Sequence, residues 1–217
     1  MKTLAEKKVL DKGYVKLLRA DKEDVILEVA SICYGKTNLP ESKKTELLKR
    51  LYKEHAGNPT SSFEFVNFTF KVKCPIFIAR QWFRHRIGSY QELSRRYTKA
   101  SIDDVYIPEE LEGFLKDTEG NIYYHYAHTL LEKIFDYYET LLQKGFRKEI
   151  ARFILPLGLY TEFYWQVNLR SLINFLKVRF DRHAQKEIRE YAKAILELIE
   201  PYCPVIISLL KQDLSIK

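Results

Sequence analysis

Cysteine is scarce in this 217-residue chain: Cys33, Cys74 and Cys203 are an odd number, with no C-x-x-C pair and no histidine at metal-ligand spacing. That excludes a disulfide framework and suggests no zinc site, so the three are read as packed or idle thiols. The first twenty residues alternate lysine, acid and apolar side chains without an apolar block, so no signal peptide is expected. Nor does any stretch approach the roughly 20 apolar residues that a membrane span needs. Both absences point to a cytoplasmic protein with no membrane partner. Internal repeats and low-complexity tracts are also missing. With 46% hydrophobic and 30% charged residues the composition is that of a globular protein, and residues 1–217 fit one domain.

Arginine is rare before residue 80, where only Arg19 and Arg50 interrupt a preference for lysine. Residues 80–97, R-Q-W-F-R-H-R-I-G-S-Y-Q-E-L-S-R-R-Y, then hold five of the thirteen arginines and His85 against the single carboxylate of Glu92. The net charge of +7 favours an anionic partner but does not choose among nucleic acid, membrane surface and phosphorylated small molecule. Clustering is more informative, because the planar five-donor guanidinium selects for geometry as well as charge. Trp82, Phe83, Tyr90 and Tyr97 add flat surfaces on which a heteroaromatic ring can stack. Phosphate plus ring suggests a nucleotide. A solvated basic helix face is the alternative, but Gly88-Ser89 breaks any regular stripe, and Phe83 and Ile87 are expected to share a helical face with Ile76 and Arg80. A half-buried, arginine-lined turn fits better.

Along the chain, residues 7–19, with Gly13 between two short apolar-polar alternations, read as an opening hairpin or bulged strand. Asp21 is expected to cap a helix running to about Tyr34 and closed by Gly35, and a second helix spans Pro40 to about His55. After the Gly57–Thr60 turn, S-S-F-E-F-V-N-F-T-F-K-V-K alternates as a strand, with Glu64 heading the alternation. That carboxylate lies either at the strand's solvated end or against an arginine. Pro75 begins the helix that delivers Arg80, Gln81 and Arg84. Residues 98–121 read as a surface excursion. A long helix from about Ile122 to Lys144 ends at Gly145, with His125 and His128 as surface or packed histidines. A short helix, Arg147–Leu155, precedes a strand in T-E-F-Y-W-Q-V-N, and three helical segments at about 169–180, 184–200 and 202–213 close the chain. The sum is an α+β domain with one mostly antiparallel sheet packed against helices.

A second constellation lies in N-L-R-S-L-I-N-F-L-K-V-R, residues 168–179. Arg170 and Asn174 are four apart and share a helix face, whereas Arg179 falls opposite Arg170, between Leu172 and Phe175 in angular register. There Arg179 either meets an anion or acceptor, or points to solvent beyond the helix end.

These residues carry a resemblance. Arg84, His85 and Arg86, then Ser94 after seven residues, continued by Arg96 and Tyr97, resemble the signature of the flavin-dependent thymidylate synthases, the ThyX family. The surrounding F-x-F-x-V-K-x-P-I-F-x-A-R-Q-W-F-R-H-R and the N-x-R-S-L-x-N-F-L-x-x-R block are similar to that family too. The resemblance implies reductive methylation of dUMP to dTMP, with methylenetetrahydrofolate as carbon donor, FAD as hydride carrier and NADPH as reductant. It implies that Ser61, Arg84, His85, Arg86, Glu92, Asn168, Arg170 and Asn174 hold FAD. Gln81, Arg84, Glu92, Leu93, Ser94, Arg95, Arg96, Arg152 and Arg179 would line the dUMP pocket, with Arg179 against the uracil as the catalytic residue. It further implies a homotetramer with sites shared between subunits, and no nucleic-acid partner. The family often carries histidines just before the Ser/Thr that meets FAD and directly after the glutamate that follows it. Here those places hold Asn58 or Pro59 and Phe65.

Overall fold

The computed structural model describes residues 1–35, 40–54, 57–109 and 120–215. Five strands, β1 (Ala5–Val9), β2 (Gly13–Ala20), β3 (Asn67–Pro75), β4 (Ser89–Glu92) and β5 (Tyr160–Asn168), form one sheet in the order β1-β2-β3-β5-β4. Every neighbouring pair is antiparallel, which is the α+β architecture expected from the strand and helix pattern. The opening hairpin forms, but its left-handed residue is Leu10, at φ 58°, and not Gly13. Gly13 instead opens β2 opposite Val9, where a Cβ would lie 2.0 Å from the Tyr191 hydroxyl and 2.6 Å from the Val9 carbonyl oxygen.

Helix α1 (Asp24–Tyr34) closes at Gly35 in the left-handed region, as the sequence suggests. Its start differs from expectation. Asp21 does not cap the helix; its carboxylate accepts from the Asn67 amide at 3.0 Å and ties the chain to β3. Glu23 occupies the cap position, yet its carboxylate turns to another helix and accepts from the Val205 and Ile206 amides, 3.1 Å each. Those are first-turn amides of α8 (Pro204–Asp213), which have no carbonyl of their own helix to meet. Helix α2 (Glu41–Lys53) buries Leu48, Leu51 and Tyr52, while the expected end at His55 lies outside the described residues.

The strand expected from Ser61 onward begins only at Asn67. Ser61–Phe65 forms a 3-10 turn in which Ser62 and Phe63 are buried and Phe65 is 58% exposed, a spacing that an alternating strand cannot produce. Beyond it β3 alternates cleanly, with Phe68, Phe70, Val72 and Cys74 facing the core and Thr69, Lys71 and Lys73 on the other face. All nine β3 residues pair with β5. Pro75 does start a helix, α3 (Ile76–Trp82), but the helix stops before Ile87, which stands 71% exposed in the following loop and shares no face with Ile76.

Residues 98–109 are less of an excursion than their polarity suggested. Ala100, Val105 and Tyr106 are buried, and Val105 bridges to Leu159; residues 110–119 lie outside the described set. Helix α4 (Gly120–Gln143) ends before Gly145, which has φ 83°. His128 is exposed beside Glu132 at 3.3 Å, and the side chain of His125 lies outside the described residues. A short α5 (Lys148–Ala151) passes into a 3-10 turn, Arg152–Ile154. These segments share a small core of Ala100, Phe135, Tyr138, Ala151 and Leu159.

The main core lies on one face of the sheet. It receives the buried sides of α1, α2, α3, α6 (Leu169–Arg179), α7 (Lys186–Ile199) and α8. An aromatic cluster at its centre locks α3 and α6 against β5. Phe175 lies 4.9 Å from Trp82 and 5.0 Å from Trp165, and Trp82 meets Phe163 edge-on at 5.4 Å. Such pairs are worth about 0.5–1.5 kcal/mol each beyond their burial. This packing matters for function because the motif loop and α6 hang from it.

Candidate active site

Two short connections bring the arginine blocks together. The first leaves α3 at Phe83 and returns as β4, a turn shaped by the Tyr90 hydroxyl donating to the His85 carbonyl at 2.7 Å. It closes through Gly88, where a Cβ would sit 2.9 Å from both the Gln166 carbonyl oxygen and the Trp165 indole nitrogen, so a side chain here would push the loop off β5. The second connection is the direct passage from β5 into α6. Asn168 caps α6, its side-chain oxygen accepting from the Ser171 amide at 2.9 Å. Because β4 lies beside β5, the loop that ends in β4 and the helix that begins after β5 face each other.

Between them is a cavity of about 960 Å³ lined by Arg84, His85, Arg86 and Ile87 from the loop and by Asn168, Arg170, Ser171, Ile173, Asn174, Lys177, Val178 and Arg179 from α6 and its cap. Asn58, Pro59 and Glu64 close a third side. Five cationic side chains thus face one carboxylate. Glu64, exposed in the 3-10 turn that precedes β3, is committed to Arg170 at 2.6 Å, so of its two expected positions the pairing with an arginine is the one that forms. Arg84 and Arg86 are exposed and have no counter-ion among the described residues.

Arg179 is not spent on solvent. Its Nη2 donates to the Gln81 carbonyl oxygen at 2.7 Å, at the end of α3, and its Nε donates to His85 Nε2 at 3.0 Å. The imidazole must therefore accept at Nε2, which puts its proton on Nδ1. Burial, with the Arg179 charge adding to it, lowers the His85 pKa from 6.5 to about 4, so the ring is neutral near pH 7. Burial also lowers the Arg179 pKa, but a guanidinium stays charged. Opposite faces of α6 do not separate Arg170 from Arg179 as angular register suggested. The cavity wraps the helix's exposed edge far enough to take in both.

The remaining residues implied by the resemblance lie elsewhere. Gln81 contributes its carbonyl to Arg179 while its side chain donates to Gln185 at 2.6 Å. Ser61 is at the start of the 3-10 turn, and Glu92 on β4 accepts from the Thr161 hydroxyl at 2.8 Å. Leu93, Ser94, Arg95 and Arg96 follow β4. The Leu93 amide donates to the Glu162 carbonyl, and the Ser94 hydroxyl accepts from the Arg96 amide at 3.3 Å. Arg95 is turned inward onto two backbone carbonyls, Lys99 at 2.6 Å and Tyr160 at 2.9 Å. Arg96 pairs with Glu149 of α5 at 3.1 Å, and Arg152 stands exposed on the 3-10 turn after α5. Within one chain, then, Arg84, Arg86 and Arg179 share the cavity, whereas Ser94, Arg96 and Arg152 do not line it and lie on a second surface near Glu149.

Five lining positions escaped the sequence reading: Ile87, Ser171, Ile173, Lys177 and Val178. Lys177 could have been found from spacing, since it follows Arg170 by seven residues on the same helix face. Cys74 and Cys203 are buried, which pushes both thiols up, and no cysteine lines the cavity.

The family profile described as thymidylate synthase complementing protein matches residues 16–205. A flavin-dependent thymidylate synthase of Thermotoga neapolitana is 42% identical over 197 residues, covering 90% of this chain and 89% of the relative. The chain belongs to the flavin-dependent thymidylate synthase family. Another flavin-dependent thymidylate synthase, from Thermus thermophilus, is 41% identical over 206 residues, covering 91% of this chain and 75% of its own length. Among solved structures, a UMP/dUMP methylase, PolB of Streptomyces cacaoi, bound with 5-Br dUMP, superposes with a TM-score of 0.80 at 26% identity, covering 95% of this chain and 97% of that one. Both halves of the cavity wall, residues 84–87 and 168–179, fall inside the matched range.

Proposed function

We propose that this chain converts dUMP to dTMP by reductive methylation, with methylenetetrahydrofolate as carbon donor, FAD as hydride carrier and NADPH as reductant. The observation that carries this is the cavity itself. Arg84 and Arg86, without counter-ions among the described residues, meet the amides Asn168 and Asn174 across one space, beside apolar Pro59, Ile87 and Val178. A flavin dinucleotide needs that donor set, cations and N–H groups for its diphosphate and apolar edges for its rings. Arg84, His85, Arg86, Asn168, Arg170 and Asn174 would hold it, with Ser61 and Glu92 at the margins. FAD supplies the hydride that no protein side chain can donate.

The chain's own residues do the rest. Arg179, braced through Nε and Nη2, keeps Nη1 free to face a uracil oxygen and stabilise the charge that builds on the ring as C5 becomes nucleophilic. His85, neutral and accepting at Nε2, holds that guanidinium at a set angle and does not compete for the anion.

Gln81, Glu92, Leu93, Ser94, Arg95, Arg96 and Arg152 complete the dUMP pocket in this reading, several of them from a neighbouring subunit of a homotetramer. What supports sharing is the separation just described, together with the apolar surface beside Arg152: Phe153 is 72% exposed, Leu157 52%, and Phe146 and Ile150 50% each. Arg95 serves the pocket through its backbone, since both terminal nitrogens of its guanidinium are occupied by backbone carbonyls. The chain acts as one domain in the cytoplasm; among the described residues no helix is long and apolar enough to cross a membrane.

The test is direct. Purified protein should be yellow, its flavin absorbance bleached by NADPH, and it should release tritium from C5-labelled dUMP only when FAD, NADPH and methylenetetrahydrofolate are all present. A colourless protein that takes up no added FAD would sink the proposal.

A further inference from the structure

We infer that Lys177 is a phosphate-binding residue of the flavin site, a role that the family signature leaves unassigned because Lys177 falls on one of its variable positions. The inference rests on the flavin reading above and adds one residue to it. Lys177 lines the same cavity as Arg170 and Asn174, and the three are spaced i, i+4 and i+7, so they form a stripe along one edge of α6.

Its present partner leaves it charge to give. Asp213, at the end of α8, is one carboxylate shared among the Lys177 ammonium at 3.3 Å, the Lys53 ammonium at 3.4 Å and the Tyr52 hydroxyl at 2.8 Å. Two cations on one carboxylate leave a net positive charge at this end of the cavity. Lys177 is also poised rather than pinned: its side chain is 34% exposed and its ammonium lies 5.5 Å from the Tyr52 ring centroid, a surface along which a flexible stem can swing. By contrast Arg170 is closely paired with Glu64, and Arg179 is braced on α3 and the motif loop. Among the cations of α6, Lys177 can reach toward a dianionic diphosphate at the least cost to existing contacts.

The experiment measures dissociation constants of FAD, FMN and riboflavin by flavin and tryptophan fluorescence, for the full-length wild type and for K177M and K177R. In K177M, FAD should bind about tenfold more weakly, the loss of a charge-assisted contact, with FMN weakened and riboflavin unchanged. K177R should restore FAD binding to within a few-fold, and the gap between wild type and K177M should narrow at about 1 M salt, where screening is strong. Unchanged FAD affinity in K177M overturns the inference, and so does an equal loss for riboflavin, which would mean that Lys177 supports the cavity wall and not a phosphate. If the wild type binds no FAD, the flavin reading falls and this inference with it. If the wild type binds FAD and K177M matches it, only this inference falls.

Discussion

At the scale of single residues, Arg179 and His85 form a unit whose parts can be separated experimentally. Arg179→Ala removes the group proposed to face the pyrimidine but leaves Arg84, Arg86 and Asn174 in the cavity wall. It should keep FAD, as judged by the absorbance of the purified protein, while tritium release falls by about 10²-fold or more, the usual size of a lost charge-stabilising donor. Normal turnover would put Arg179 elsewhere in the reaction. His85 has a pH signature. Between its ordinary 6.5 and its folded value of about 4, the unfolded chain binds a proton that the folded chain refuses, so this residue makes stability fall as pH drops through that window. His85→Gln abolishes that contribution. In flavin-free protein, urea midpoints taken from pH 4 to 6.5 should show a shallower acid decline for the variant. The difference should be about 1 kcal/mol across the window once solvent screening of a part-exposed ring is allowed for. Parallel declines would remove the assignment.

At the scale of elements, Glu23 shows how a local sequence signal is redirected by packing. The sequence suggested Asp21 as the cap of α1; Glu23 takes that position, yet its carboxylate caps α8, some 180 residues later, and is buried there. Burial pushes its pKa up and the two amides only partly offset this. Glu23→Ala should cost about 1–2 kcal/mol, the typical loss of a side-chain helix cap, measured as a lower urea midpoint with the m-value unchanged. A neutral result would mean that water serves those amides equally well. The same redirection explains why Ser61–Phe65 misled as a strand: Phe63 is drawn into the core and Glu64 is turned toward Arg170, contacts that the one-dimensional alternation cannot contain.

At the scale of the whole molecule, the division of the residues proposed for dUMP between the cavity and the Arg96–Arg152 surface is the main architectural consequence. If a neighbouring copy supplies the second group, a charge on that surface's apolar patch should damage assembly and catalysis together. Phe153→Glu is expected to shift the molecular mass seen by light scattering from a tetramer toward smaller species. It should also lower dTMP formation by at least about tenfold, while the far-UV spectrum stays native. A monomer with full activity would show that one chain suffices.

Much of the site was legible in one dimension because it consists of two contiguous runs, and each run is rich in a residue type that chemistry makes conspicuous. Arg84, His85 and Arg86 stand out against a lysine-rich background, and the Asn168–Arg179 spacing fits a helix that the structure indeed contains. Alternation identified β3 from Asn67 onward, aromatic and β-branched content identified β5, and the breaks at Asp181 and Pro201 marked out the closing helices. The sequence alone determined which side chains carry the charge and which elements bear them. Tertiary structure decided that these elements meet: the β4–β5 pairing sets the motif loop opposite α6, the aromatic cluster around Phe175 holds it there, and α8 brings Asp213 to Lys177. Residues far apart in the chain become neighbours through strand order and core packing, and no local pattern records either.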